Sequence, residues 1–306
     1  MNERIRRLDG EKLLFWDIET VRRQKTLDIN SEEFGIYQYK FRNKDTGELM
    51  SDVDTVAHYE KNAALYPAYN QIVCISVGFV KDDTLYYKAI TGNQKDIITE
   101  FYELLNSKNL LPTGFNILRF DAPMTRIKAF EVGVEVFLND KFTDVETKPW
   151  LLSEAFLDLM DIVKGTYYNG ISMAECCFLF GVDSPKADIS GSDVSRVYWE
   201  EKGGIDRIAN YCNQDIRATA ELFYSIQGKK GFLKNFVDKT GAKIEKVPLM
   251  NLIANTKAIT KDQEKEIIAK AKTLSKLEKP LFVEILRAAL LENAETYEKL
   301  LIKIGK

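Results

Sequence analysis

The eight residues Leu13–Thr20, Leu-Leu-Phe-Trp-Asp-Ile-Glu-Thr, constrain this chain more than any other stretch. Four consecutive large apolar residues read as a buried strand, and two carboxylates, Asp17 and Glu19, stand where that strand should end. Side chains alternate faces along a strand, so residues 17 and 19 point to the same side. Like charges held that close repel, and burying them without partners costs several kcal/mol. A divalent cation is the simplest compensation. The strand is therefore expected to carry half of a metal site.

The rest of the composition narrows the chemistry. At 306 residues the chain can hold one large domain plus a small one, and 45% hydrophobic with 29% charged residues is ordinary for a globular protein. No apolar stretch reaches the roughly 20 residues that span a bilayer, and Met1–Lys12 lacks the apolar core of a secretory signal. The expected location is cytoplasmic. The cysteines Cys74, Cys176, Cys177 and Cys212 form no C-x-x-C pair, which predicts reduced, buried thiols rather than structural zinc. A net charge of −3 argues against nonspecific coating of nucleic acid, but allows an enzyme that grips a few phosphates through metal ions and a local basic patch. With His58 the only histidine, serine–histidine and cysteine–histidine sites and histidine-rich zinc sites are excluded. His58 lies in the polar stretch Ser51–Glu60 and reads as a solvated loop residue.

Along the chain, residues 21–69 are polar with little apolar periodicity, and read as a long insertion with little core, such as a flap over the site. Ile72–Val80 and Thr84–Ile90 flank Lys81-Asp82-Asp83 as a hairpin. Asp96–Asn106 is an amphipathic helix, Pro112–Asn116 a short strand or loop, and Asp121–Val132 a helix. Leu157–Ile162 reads as a further strand. Ser172 caps a helix that Gly181 ends, and helices follow over Asp193–Lys202 and Ile205–Ile226. Beyond Gly228-Lys229-Lys230-Gly231 the pattern turns helical, over Lys261–Leu277, Leu281–Glu292 and Ala294–Ile304. This predicts an α/β domain over residues 1–227, a mixed sheet with helices on its faces, and a small helical C-terminal module over residues 228–306. That module could dock a partner protein, although its mixed charges equally suit a solvated face.

Two further segments carry chemistry. Tyr211 and Asp215 are four apart, one turn on a helix face, so Asp215 could join Asp17 and Glu19 while the Tyr211 hydroxyl orients or deprotonates a metal-bound water. The alternative makes Asp215 a surface charge and Tyr211 packing. In Gly114–Asp121, Gly114 permits close backbone approach, Asn116 can donate to a phosphate or sugar oxygen, and Phe115 offers a face for a base. Asp121 is either a helix N-cap or a fourth carboxylate at the metals. Lys186, in a polar loop, can touch backbone phosphate or remain solvated, and Thr20 follows the first carboxylate pair as another candidate substrate contact. Asp158 and Asp161 tune the metal shell or cap a strand.

The order D-x-E on a first strand, N-x(4)-D after a glycine turn and Y-x(3)-D on a late helix resembles the three motifs of the DEDD exonuclease superfamily, tyrosine branch (DEDDy). It is most similar to the proofreading exonuclease domain of family B DNA polymerases, over roughly residues 12–226; Tyr66-Pro67 ahead of Asn70–Gly78 adds to the likeness. Phe115 departs from it, since many relatives carry histidine or another polar residue there. With about 80 residues left after residue 226, a polymerase palm or fingers is not expected to follow. The resemblance implies a ribonuclease H-like fold and two Mg²⁺ or Mn²⁺ ions, with Asp17 bridging both, Glu19 and Asp215 completing the first site, Asp121 serving the second and Tyr211 holding the water. It implies a 3′–5′ exonuclease acting on DNA, with single-stranded 3′ ends as the partner and a place in replication or repair. An RNA exonuclease, or a nucleic-acid-binding protein of the same fold with reduced activity, is the alternative.

Overall fold

The computed structural model describes residues 3–107, 110–134, 155–167, 169–185 and 188–241. Chain contacts divide the protein into two compact units, Met1–Gly241 and Ala242–Lys306. The second unit, and with it the C-terminal helices expected from sequence, lies outside the described residues, as does Lys186.

The first unit is built on a six-stranded mixed sheet: β1 (Leu13–Arg22), β2 (Asn70–Lys81), β3 (Thr84–Thr91), β4 (Leu111–Gly114), β5 (Leu157–Asp158) and β6 (Asn235–Asp238), in the order β5-β4-β1-β2-β3-β6. The hairpin β2–β3 and the pair β1–β2 are antiparallel, whereas β4 lies parallel to β1, β5 to β4 and β6 to β3. The helices are α1 (Glu3–Arg7), α2 (Glu32–Lys40), α3 (Asp52–Asn62), α4 (Gln94–Ser107), α5 (Asp121–Val132), α6 (Leu159–Lys164), α7 (Met173–Phe180), α8 (Val194–Glu200) and α9 (Gly204–Ile226). No helix among them is long and apolar enough to cross a membrane.

Strand β1 sits at the centre and sorts its side chains by alternation. Leu14, Trp16 and Ile18 pack with Ile97, Ile98 and Phe101 of α4 and with Ala122 and Met124 of α5. Leu13 and Phe15 face the other way, onto Ile216, Ala220 and Phe223 of α9. Period two then carries Asp17 and Glu19 onto the α9 side. Burial of these apolar faces, worth roughly 25 cal/mol per Å², fixes the register that delivers the carboxylates. A register shift between Glu19 and Thr20 interrupts the pairing with β2 just beyond them, and the pairing resumes from Thr20 to Arg22, so the strand does not end at the carboxylates as the sequence suggests.

Three expectations need correction. The segment 21–69 is not poor in core: after β1 ends it forms α2 and α3 around Leu27, Phe34, Tyr37, Tyr59, Ala63 and Tyr69. His58 belongs to α3, with Nδ1 2.8 Å from the Tyr37 hydroxyl, and is not a loop residue. Leu157–Ile162 is a strand for two residues only; Asp158 accepts the Met160 amide at 2.9 Å, caps α6 and turns the rest into helix. The sheet also takes in β6, past residue 227, which pairs with β3, and Asn213 of α9 donates to Asp238 at 3.3 Å and to Thr240 at 2.9 Å beside it. The capped helix from Ser172 appears as expected, with Ser172 and Glu175 forming a capping box and Gly181 left-handed at its end.

Candidate active site

One cleft of about 300 Å³ is lined by Asp17, Ile18, Phe115, Asn116, Phe120, Asp121, Met160, Ile171, Ser172, Met173, Tyr211 and Asp215. It collects residues from β1, the β4–α5 loop, α5, α6, α7 with the residues leading into it, and α9. Asp17 comes from β1. Asp121 opens α5 but is not its N-cap, which is Phe120; its Oδ1 instead accepts the backbone amide of Ile18 at 3.1 Å, between the two acidic residues of β1. Tyr211 and Asp215 stand one turn apart on α9. Gly114 permits the approach expected of it, since a Cβ there would collide with Ile117 and the Trp16 carbonyl oxygen.

Glu19 sits deeper, 8% exposed, opposite Cys74 in the β1–β2 register, and receives no hydrogen bond from a described residue. Ligand atoms of Asp17, Glu19 and Cys212 lie within 4.8 Å of one another. The Cys212 thiol donates to Asp17 Oδ2 at 3.4 Å, and all four cysteines are buried thiols without a disulfide.

Electrostatics mark the cluster as one that needs a counter-ion. Burial pushes Asp17 far above the usual carboxylate range, and Asp215, Asp121 and Glu19 push it further. Burial likewise raises Glu19, with Asp215 the next cause. Asp121 is pushed up to about 7, chiefly by burial, although the Ile18 amide opposes the shift. Asp17, Glu19 and Asp121 are each raised by burial and by the nearby Asp215, and such a set cannot all be ionised without cations. Their oxygens are hard donors, and with Glu19 left unpartnered the set fits Mg²⁺ or Mn²⁺. Tyr211 is also raised, by burial and then by Asp215, so its hydroxyl stays protonated.

Among the expected substrate contacts, Phe115 and Asn116 line the cleft. Thr20 does not: it is buried, and its hydroxyl donates to the Ala64 carbonyl at 2.8 Å, tying β1 to the helical insertion. The sequence reading missed how Asp158 is used. Its carboxylate also accepts the amides of Asn116 and Leu118, which no spacing rule reveals across some forty residues.

A family profile described as a predicted 3′–5′ exonuclease related to the exonuclease domain of PolB matches residues 64–268, about two thirds of the chain. The matched span holds Asp121, Tyr211 and Asp215; Asp17 and Glu19 lie upstream of it. No curated protein matches the chain. The mixed sheet flanked by helices is that of a ribonuclease H-like exonuclease. The chain belongs to the family of predicted 3′–5′ exonucleases related to the exonuclease domain of PolB.

Proposed function

We propose that this protein removes nucleotides one at a time from the 3′ end of single-stranded DNA, by metal-dependent hydrolysis of the terminal phosphodiester. The observation that carries the reading is the meeting of Asp17, Glu19 and Asp121 with Asp215, from three separate elements, close enough that Asp215 helps raise the other three. In this reading Asp17, Glu19, Asp121 and Asp215 would together hold two divalent cations. Such a pair of cations, when bound, neutralises charge on the attacking and departing oxygens of an in-line displacement. The chain's own groups do the rest. The Tyr211 hydroxyl holds the water that attacks phosphorus, on the face that Asp215 shares one turn away. Attack forms the new P–O bond and breaks the bond to the 3′ oxygen, which takes a proton as a nucleoside 5′-monophosphate leaves. Asn116 donates to a sugar or phosphate oxygen, and Phe115 stacks on the terminal base.

The small cleft suits one flexible terminal nucleotide, whereas a duplex end would first have to melt. The relation to the PolB exonuclease domain favours DNA over RNA. A single-stranded DNA labelled at its 5′ end tests this directly. In Mg²⁺ it is expected to shorten into a ladder from the 3′ end, and EDTA is expected to stop the reaction. One internal cut would make the protein an endonuclease, and faster loss of RNA of the same sequence would reassign the substrate.

A further inference from the structure

The loop Phe115–Phe120 joins β4 to α5 and presents Phe115, Asn116 and Phe120 to the cleft. Its backbone is strained. Asn116 has φ 64, in the left-handed region that a non-glycine residue enters at a cost of about 1 kcal/mol. Such a conformation persists only where the surroundings impose it. Here the imposing group is Asp158, 3% exposed at the end of β5. Its Oδ1 accepts the amides of Asn116 and Met160, both at 2.9 Å, and its Oδ2 accepts the amide of Leu118 at 3.1 Å. Capping α6 needs only the Met160 contact; the other two reach across to the loop. One turn further on, Asp161 accepts from Arg119 Nη1 at 2.7 Å. Two carboxylates from one junction therefore hold the loop at residues 116, 118 and 119.

We infer that Asp158 is a positioning residue for the substrate, with Asp161–Arg119 as an outer latch. This rests on the exonuclease reading. Asp158 touches neither substrate nor metal in it; it acts through the loop, holding Phe115 and Asn116 where the terminal nucleotide meets them. A carboxylate is required because both oxygens are accepting, so an asparagine would turn an NH₂ toward an amide N–H and lose one side of the grip.

The test compares Asp158→Asn with the unaltered protein. The probe is a 5′-fluorescein oligothymidylate, with binding read by anisotropy in EDTA and cleavage read in Mg²⁺. The variant is expected to weaken binding and raise KM about tenfold, the effect of losing one such hydrogen bond. Its kcat should stay within about threefold, and Mn²⁺ affinity should stay unchanged. Hydrogen exchange at the Asn116 and Leu118 amides should accelerate. Unchanged KM and exchange in a folded variant would overturn the assignment while leaving the exonuclease reading intact. An unaltered protein that neither binds nor cuts the probe would overturn both. If Asp158→Asn does not fold, Arg119→Ala decides. As a half-exposed ion pair, its loss should raise KM about twofold with kcat unchanged, and a KM equal to that of the unaltered protein would overturn the role.

Discussion

The cleft and the helical insertion between β1 and β2 are both rich in polar residues, and they use them in opposite ways. In the insertion the buried tyrosines pack on one another: Tyr37 meets Tyr59 at 5.1 Å and Tyr69 at 4.7 Å between ring centroids. The Tyr59 hydroxyl donates to Glu33 at 2.9 Å, and the Tyr37 hydroxyl lies 2.8 Å from His58. These polar atoms are satisfied, so their burial stabilises the fold. At the cleft, half-buried Asp17 and, behind it, buried Glu19 lie beside other carboxylates and are pushed toward protonation. One region is settled as folded. The other is left short of positive charge, which a bound cation would bring.

The contrast breaks most visibly under substitution. Asp17→Ala or Asp215→Asn should abolish cleavage of a labelled oligonucleotide, a loss of at least about 10³-fold, with the circular dichroism spectrum unchanged. Stability of the metal-free protein should not fall, since a repelling charge has gone. Activity or folding results to the contrary would show that these carboxylates do not share one site. Tyr37→Ala should do the reverse and cost about 3 kcal/mol in denaturant unfolding, with Mn²⁺ affinity of the folded fraction unchanged.

Metal-free stability should also depend on pH in a direction set by the cleft. Asp121 titrates near 7 in the folded chain against its ordinary 3.8, so the folded state binds more protons between those values. Its stabilising contribution is whole below the ordinary value and is lost as pH rises through about 7; Asp17 and Glu19 shift in the same direction. Thermal melts in EDTA should therefore drop between pH 5 and pH 8, on the order of 2 kcal/mol, and Mn²⁺ should remove the drop. A melting temperature that climbs over this range in EDTA would contradict the charge arrangement. The smallest effect belongs to Tyr211→Phe, expected to slow kcat about tenfold without changing metal affinity; an equal rate would place the water elsewhere.

How far the sequence could be read followed the range of the interactions. Asp17 and Glu19 were legible because strand alternation is local, and Tyr211 with Asp215 because one helical turn is local. The ribonuclease H-like sheet was legible from the order of the motifs. Asp121 stood ambiguous between cap and ligand, since the amide that holds it belongs to Ile18, far away in sequence. Leu157–Ile162 alternates like a strand, and only the cap made by Asp158 shows where strand becomes helix. The insertion looked coreless because its core is aromatic, drawn from Tyr37, Tyr59 and Tyr69, which obey no simple apolar period. Thr20 was adjacent to the carboxylates yet turned away, toward Ala64.

The proposed activity requires acidic side chains from β1, α5 and α9 to act together on hard cations. Mn²⁺ binding measured by electron paramagnetic resonance on the purified full chain tests this most directly. Two ions per chain are predicted, with both sites lost or strongly weakened in Asp17→Ala. No bound Mn²⁺, or full binding in that variant, would contradict it.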